Sequence, residues 1–159
     1  MKAFILYESF FGNTEAVARS MGKYYSGKDY IKVENMSDVT WEDVSDADLL
    51  IVGSPTRGFR PCEKTIHFLK SIPSKGLAGK RVAAFDTRIP LENINSKILR
   101  ILVKIGGYAA PRISSALKKR GGEIVAAPEG FYVTGEKGPL AEGEEARAAD
   151  WAKTIIGTG

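Results

Sequence analysis

The chain has 159 residues, of which 43% are hydrophobic and 26% are charged. That length and composition predict one globular domain over residues 1–159 with a sizeable core. No segment supplies the ~20 consecutive apolar residues of a membrane span, and the chain turns polar too early for a signal peptide, so we expect a cytoplasmic protein. The single cysteine, Cys62, cannot form an internal disulfide, and one Cys with one His argues against a metal site.

Charge is unevenly distributed along the chain. The formal net charge is +4, yet residues 93–122 contain seven Lys or Arg and no acidic residue, which leaves −3 on the remainder. Such a block is either a solvated helix face or a surface that meets an anionic partner. We expect no nucleic-acid partner.

Apolar runs predict strands at intervals along the chain. Five segments have this character: residues 3–7, 30–36, 49–53, 81–87 and 123–133, the last interrupted or extended around Pro128. The continuous apolar runs are typical of a sheet that is covered on both faces. Residues 37–47 are predicted to be a polar, turn-rich connection.

Apolar residues at helical spacing occupy the gaps between these strands. Helices are predicted over residues 14–25, after Pro61, over 94–105, from Pro111 and over 142–156. The expected inward-facing residues are Val17, Met21, Tyr24 and Tyr25 in the first helix, Cys62, Ile66 and Leu69 after Pro61, and Ala148, Trp151, Ala152 and Ile155 in the last helix. His67 falls outside its stripe and is expected at the surface.

Alternating strands and helices imply a doubly wound parallel sheet. Ligands of such sheets lie beyond the carboxyl ends of the strands, where the winding direction reverses. The loops that follow the first, third and fourth strands are therefore the candidate binding loops.

The first of these loops has the composition of an anion cradle. A helix that begins beside Gly12 points unpaired N–H groups and the positive end of its dipole into the loop. Ser9 and Thr14 add hydroxyl groups and Asn13 adds an amide, while Lys and Arg are absent from the loop. The pattern is neither a Walker loop nor a dinucleotide fingerprint. We expect a phosphate held by neutral donors, or else a plain strand-to-helix turn.

At this loop the chain resembles the flavodoxin-like proteins. Their loop reads Ser/Thr-x-Thr-Gly-x-Thr and holds the phosphate of FMN, and it is similar to the segment Ser9, Phe10, Phe11, Gly12, Asn13 and Thr14. Phe11 departs from it, since it stands where a hydroxyl residue usually binds phosphate. The resemblance implies a five-stranded parallel sheet of order 2-1-3-4-5, a three-layer αβα architecture and FMN as the cofactor.

The resemblance also assigns the other two loops to the flavin ring. After the third strand, the implied ring contacts are Pro55, Thr56, Arg57, Gly58 and Phe59, with Arg57 or Phe59 in place of a Trp that many flavodoxins have there. Gly58 would allow the peptide rotation that accompanies protonation of flavin N5. After the fourth strand, Asp86, Thr87 and Arg88 would lie nearest the pyrimidine edge, with Tyr108 folding back toward them.

Charged and nucleophilic residues near these loops suggest how the cofactor would be tuned. Three arginines, Arg57, Arg60 and Arg88, lie in candidate flavin loops, and positive charge there should raise the potential of the second electron relative to that of acidic flavodoxins. Cys62 is either a thiolate near the flavin, its pKa lowered by a helix N-terminus, or a buried core residue.

Residues 93–105 have three interpretations. Their Ile and Leu stripe packs on the sheet, forms a homodimer contact, or lies on an anionic membrane as a peripheral helix. A similar stretch in flavodoxin-like, menaquinone-linked protoporphyrinogen oxidases points toward a small quinone as a partner.

Three functions follow. The first is an FMN-binding electron carrier between partner oxidoreductases, in which no side chain is catalytic. The second is an NAD(P)H- or quinone-dependent FMN reductase, and the third is a flavin-free binding module of the same fold.

Overall fold

The computed structural model describes residues 1–23, 30–57, 59–94 and 96–157. Within these residues, six strands form one parallel sheet in the order β2-β1-β3-β4-β5, with β6 also paired to β4. The strands are β1 (Lys2–Tyr7), β2 (Tyr30–Asn35), β3 (Leu49–Pro55), β4 (Arg81–Arg88), β5 (Glu123–Ile124) and β6 (Glu129–Tyr132). The helices are α1 (Asn13–Lys23), α2 (Trp41–Val44), α3 (Glu63–Ser71), α4 (Lys97–Gly106), α5 (Ala109–Lys119) and α6 (Glu144–Ile156).

The central strands are buried on both faces because helices cover both. From β1, Phe4 and Leu6 pack with residues of α3 and α5, while Ala3, Ile5 and Tyr7 pack with residues of α1 and α6. The alternation along a strand sends successive side chains to opposite faces. The predicted order 2-1-3-4-5 and the three-layer αβα architecture are therefore confirmed.

The last predicted strand is interrupted, as its sequence indicated. β5 pairs with the beginning of β4, at Arg81 and Val82, and β6 pairs with the end of β4, from Phe85 to Arg88. Pro128 lies between the two pieces, and proline cannot donate a hydrogen bond to a neighbouring strand. The consequence is that β6 delivers the chain to the carboxyl edge of the sheet.

Two segments differ from their sequence interpretation. The segment read as a turn-rich connection contains the short helix α2, which begins after a capping box formed by Thr40 and Asp43 and buries Trp41. In α3 the inward residues are Thr65, Phe68 and Leu69, whereas Ile66 is only half-buried. A short stretch has too few turns for its period to be read reliably.

The helix α4 contradicts the expectation that its apolar stripe packs on the sheet. The exposed fractions of Ile98, Leu99 and Ile101 are 73%, 43% and 57%. The side chains of Leu102 and Ile105 lie outside the described residues, as do Tyr24 and Tyr25. The membrane and dimer interpretations of this segment stay predictions. Within the part of the chain that the structure describes, every helix is too short or too polar to cross a bilayer.

Candidate functional site

A cavity of about 260 Å³ lies at the carboxyl edge of the sheet. The turn after β1, the end of β3, the end of β4 and the segment after β6 meet there. Its lining residues are Ser9, Phe10, Phe11, Asn13, Thr14, Pro55, Thr56, Arg57, Thr87, Arg88, Ile89, Val133 and Glu136. Four segments that are far apart in sequence therefore share one pocket.

The turn between β1 and α1 is built to leave N–H groups facing outward. Gly12 takes a φ of +88°, a conformation that favours glycine, and its N–H donates to Ser9 Oγ at 3.1 Å. The N–H of Ala16 donates to the Gly12 carbonyl, so the N–H groups before it have no partner inside α1. Thr14 Oγ1 lies 2.8 Å from Thr87 Oγ1, and either hydroxyl can donate in this pair. This end of the cavity can accept an anion without a cationic side chain.

The other wall of the cavity is aromatic and cationic. Phe10 and Phe11 are 56% and 45% exposed, and the Arg57 guanidinium carbon lies 4.8 Å and 5.9 Å from their ring centroids. These cation–π contacts hold the Arg57 guanidinium against the two aromatic rings. Of the two expected substitutes for Trp, Arg57 lines the cavity, whereas Phe59, with a φ of +64°, is absent from the lining. Gly58 lies outside the described residues.

Asp86 is placed differently from its prediction, beneath the cavity rather than at its surface. Its carboxylate is fully buried and accepts hydrogen bonds from Arg88 Nε at 2.6 Å, Arg88 Nη2 at 2.8 Å and the Ala110 N–H at 2.8 Å. Burial raises the pKa of the Asp86 carboxyl, and the donors from Arg88 and Ala110 oppose that shift. The role of Asp86 is to fix Arg88 and the first turn of α5.

Tyr108 completes this arrangement. Its ring centroid lies 3.8 Å from the Arg88 guanidinium carbon, and its hydroxyl donates to the Ile89 carbonyl at 3.3 Å. The expected folding back of Tyr108 therefore occurs, but the ring packs on Arg88 and is absent from the cavity lining.

The expected concentration of three positive charges at the cavity is reduced by these contacts. The charge of Arg88 is balanced by the buried carboxylate of Asp86. Arg60 lines a different groove, and Arg57 shares the cavity lining with Glu136. The cations that remain at the Phe10 and Phe11 wall are Arg57 and Lys137, whose Nζ lies 6.0 Å from the Phe11 ring centroid.

Cys62 is a structural residue in this fold. Its thiol is buried, it donates to the Pro55 carbonyl at 3.5 Å, and burial raises its pKa, which contradicts a thiolate stabilised by the helix dipole. The backbone N–H of Cys62 donates to Ser54 Oγ at 2.9 Å. These contacts fasten the beginning of α3 to the end of β3.

Sequence reasoning missed Ile89, Val133 and Glu136 as lining residues. Val133 and Glu136 follow β6, and they reach the cavity because β6 pairs with the end of β4. The Asn13 side-chain amide donates to the Lys137 carbonyl at 3.2 Å, which ties this segment to the first loop. No local sequence motif identifies Val133 and Glu136 as lining residues, because their position at the cavity depends on strand pairing.

Solved structures of known proteins share this fold, although their sequences differ widely from that of this chain. No family model and no curated protein matches the sequence. Among solved structures, oxidised flavodoxin 1 from Bacillus cereus has a TM-score of 0.77 and 19% identity, over 99% of this chain and 98% of that one. A flavodoxin from the domain Archaea has a TM-score of 0.73 and 21% identity, with 99% and 98% covered.

The same architecture also occurs within a longer protein. Rubredoxin oxygen:oxidoreductase from Desulfovibrio gigas has a TM-score of 0.70 and 22% identity, over 99% of this chain and 35% of that one. The chain therefore has a flavodoxin-like α/β fold. The likeness that its first loop suggested is confirmed at the level of the fold.

Proposed function

We propose that this chain binds FMN in the cavity at the carboxyl edge of the sheet and carries electrons between partner oxidoreductases. The observation that carries the proposal is the juxtaposition of an anion cradle and an aromatic wall in one cavity. Flavodoxins from a bacterium and an archaeon share the fold over nearly the whole of both chains, which supports a carrier of the same kind.

The residues present fit the two ends of an FMN molecule. Its phosphate matches the N-terminus of α1, where Ser9, Asn13 and Thr14 line the cavity beside N–H groups that have no partner inside the helix. Its flat ring system matches the wall formed by Phe10 and Arg57, in which the Arg57 guanidinium carbon lies 4.8 Å from the Phe10 ring centroid. When bound, FMN supplies the redox chemistry by accepting and releasing one or two electrons.

The side chains of the protein would position and tune the cofactor. The hydroxyl of Thr14 donates to the phosphate while Thr87 donates to Thr14, an orientation that their 2.8 Å contact permits. Phe10 and Phe11 line the cavity and would shield one part of a bound ring from water. The positive charge of Arg57 stabilises negative charge on the ring system, which raises its potential relative to an acidic flavodoxin.

An FMN-dependent NAD(P)H or quinone reductase is the second candidate. The observation that favours it is the exposed guanidinium of Arg57 at the rim of the cavity, where an anionic substrate would approach. The carrier is preferred because the buried groups near the cavity, Asp86 and Cys62, are occupied by structural hydrogen bonds. A flavin-free module is the third candidate, because Phe11 removes a phosphate donor.

One sequence of measurements separates the three candidates. The purified protein is incubated with excess FMN, and binding is followed by the visible spectrum and by quenching of flavin fluorescence. Riboflavin, which lacks the phosphate, is titrated in parallel and should bind more weakly. NADPH is then added without oxygen: an unchanged spectrum is expected for the carrier, and bleaching within seconds identifies the reductase. If excess FMN leaves no bound chromophore, both flavin functions are refuted.

A further inference from the structure

A second concave surface lies between α3 and α5. It is a groove of about 370 Å³, and among the described residues that line it five are cationic and none is acidic. The lining consists of Arg60, Pro61, Ile66, Leu69, Lys70, Arg112, Ala116, Lys119 and Arg120. We call this surface the α3–α5 groove.

Charge and apolar surface alternate along the α3–α5 groove. Arg60 and Arg112 lie at its cavity end, because the N-termini of α3 and α5 both follow the carboxyl edge of the sheet. Lys70, Lys119 and Arg120 lie at the opposite end, where the two helices finish. The floor between them is apolar: Ile66, Leu69 and Ala116. At about 1.5 Å per residue, the nine residues of α3 make the groove roughly 14 Å long.

Helix stability accounts for the cations at only one end. Lys70 and Lys119 are in the last turns of their helices, where positive charge is favourable to the helix dipole. Arg112 is the fourth residue of α5 and Arg60 precedes α3, so both lie near N-termini, where positive charge opposes the dipole. Helix stability therefore does not account for Arg60 and Arg112.

The α3–α5 groove adjoins the cavity through one short loop. Arg57 lines the cavity and Arg60 lines the groove, and their backbones exchange hydrogen bonds at 3.1 Å and 3.2 Å. One loop therefore contributes residues to both the groove and the cavity. Arg120 is held at the far end by donating to the Ile72 carbonyl at 2.7 Å.

We propose that the α3–α5 groove docks an acidic segment of a redox partner protein. The matching segment has carboxylates at both ends and apolar side chains in its middle. A second copy of this chain would bring the same cations against each other, and a nucleic-acid backbone would leave the apolar floor without a partner. That the docked partner exchanges electrons with the cavity rests on the proposed function, whereas the docking itself does not.

The test uses a fluorescein-labelled six-residue peptide with two Glu at each end and two Leu in its middle, which spans roughly 20 Å when extended, and binding to the full chain is followed by anisotropy. The same peptide with Gln in place of Glu is the ligand control. Lys119→Glu and Lys118→Glu form a matched pair, because both lysines are exposed in the last turn of α5 and only Lys119 lines the groove.

We expect the Glu peptide to bind and the Gln peptide to bind much more weakly. Lys119→Glu should weaken binding by about tenfold and Lys118→Glu by less than about threefold. Equal losses in the two variants, equal binding of the two peptides, no binding of either, or tighter binding of a ten-nucleotide single-stranded DNA would overturn the docking proposal.

FMN binding is measured on the same samples so that the two proposals can fail separately. Peptide binding without FMN binding removes the redox assignment and supports the groove. FMN binding without peptide binding overturns the groove and supports the proposed function.

Discussion

Replacing Thr14 by valine removes one hydroxyl from the beginning of α1 and keeps the shape of the side chain. Thr14 is 1% exposed and its Oγ1 lies 2.8 Å from Thr87 Oγ1. The loss of this buried contact should lower the free energy of unfolding by about 1 kcal/mol. A hydrogen bond to a charged group contributes ~1.5–3 kcal/mol, so FMN affinity should fall by roughly ten- to a hundredfold.

The assay is a titration of the apoprotein with FMN, followed by quenching of flavin fluorescence, with riboflavin titrated in parallel. Riboflavin affinity should stay unchanged, since the proposed ligand contact of the lost hydroxyl is with the phosphate that riboflavin lacks. The matched control is Thr154→Val, because Thr154 is exposed on α6 and its hydroxyl donates to the Trp151 carbonyl, away from the cavity. Wild-type FMN affinity in Thr14→Val, or an equal loss for riboflavin, would show that the cradle does not bind the phosphate.

Two further expectations concern stability. Burial acts to raise the pKa of the Glu144 carboxyl, but donors from Arg147 and the Tyr132 N–H lower it overall. The carboxylate therefore stabilises the fold above its unfolded-state pKa, and this contribution is lost as pH falls through the lower folded-state pKa. Urea unfolding should show Glu144→Gln less stable by about 1 kcal/mol at pH 7 and equal to wild type once the carboxyl is protonated; a constant difference would contradict the linkage. Ile98→Ala should change the free energy of unfolding by less than about 0.5 kcal/mol, and its buried counterpart Ile113→Ala should cost about 2–5 kcal/mol in the same assay, so similar losses would mean that Ile98 is covered.

Local pattern was sufficient for most of the sheet and for the first loop. An apolar run such as residues 49–53 is typical of a strand in a parallel sheet that is covered on both faces, which is where it lies. The turn at Gly12 is equally local, because its positive φ and the helix that begins at Asn13 are properties of adjacent residues.

The sequence interpretation was wrong where the burial of a side chain depends on an element that is distant in the sequence. The apolar period of α4 predicts an amphipathic helix, which is present, but the period does not say whether a neighbour covers that face. Ile98 and Ile101 are exposed, while residues of α1, α3, α5 and α6 cover the two faces of the sheet. Trp41, in a polar segment, is buried because the same core extends beneath it.

The amino-acid order alone determined the succession of strands and helices, the edge of the sheet where a ligand is expected and the turn of the proposed anion cradle, because each depends on hydrogen bonds and side-chain periods between near neighbours. Tertiary structure alone decided that Asp86 is buried under Arg88, that the segment after β6 completes the cavity, and that cations from α3 and α5 line one groove. These features join residues from separate parts of the chain, and their distances are set by strand pairing and helix packing.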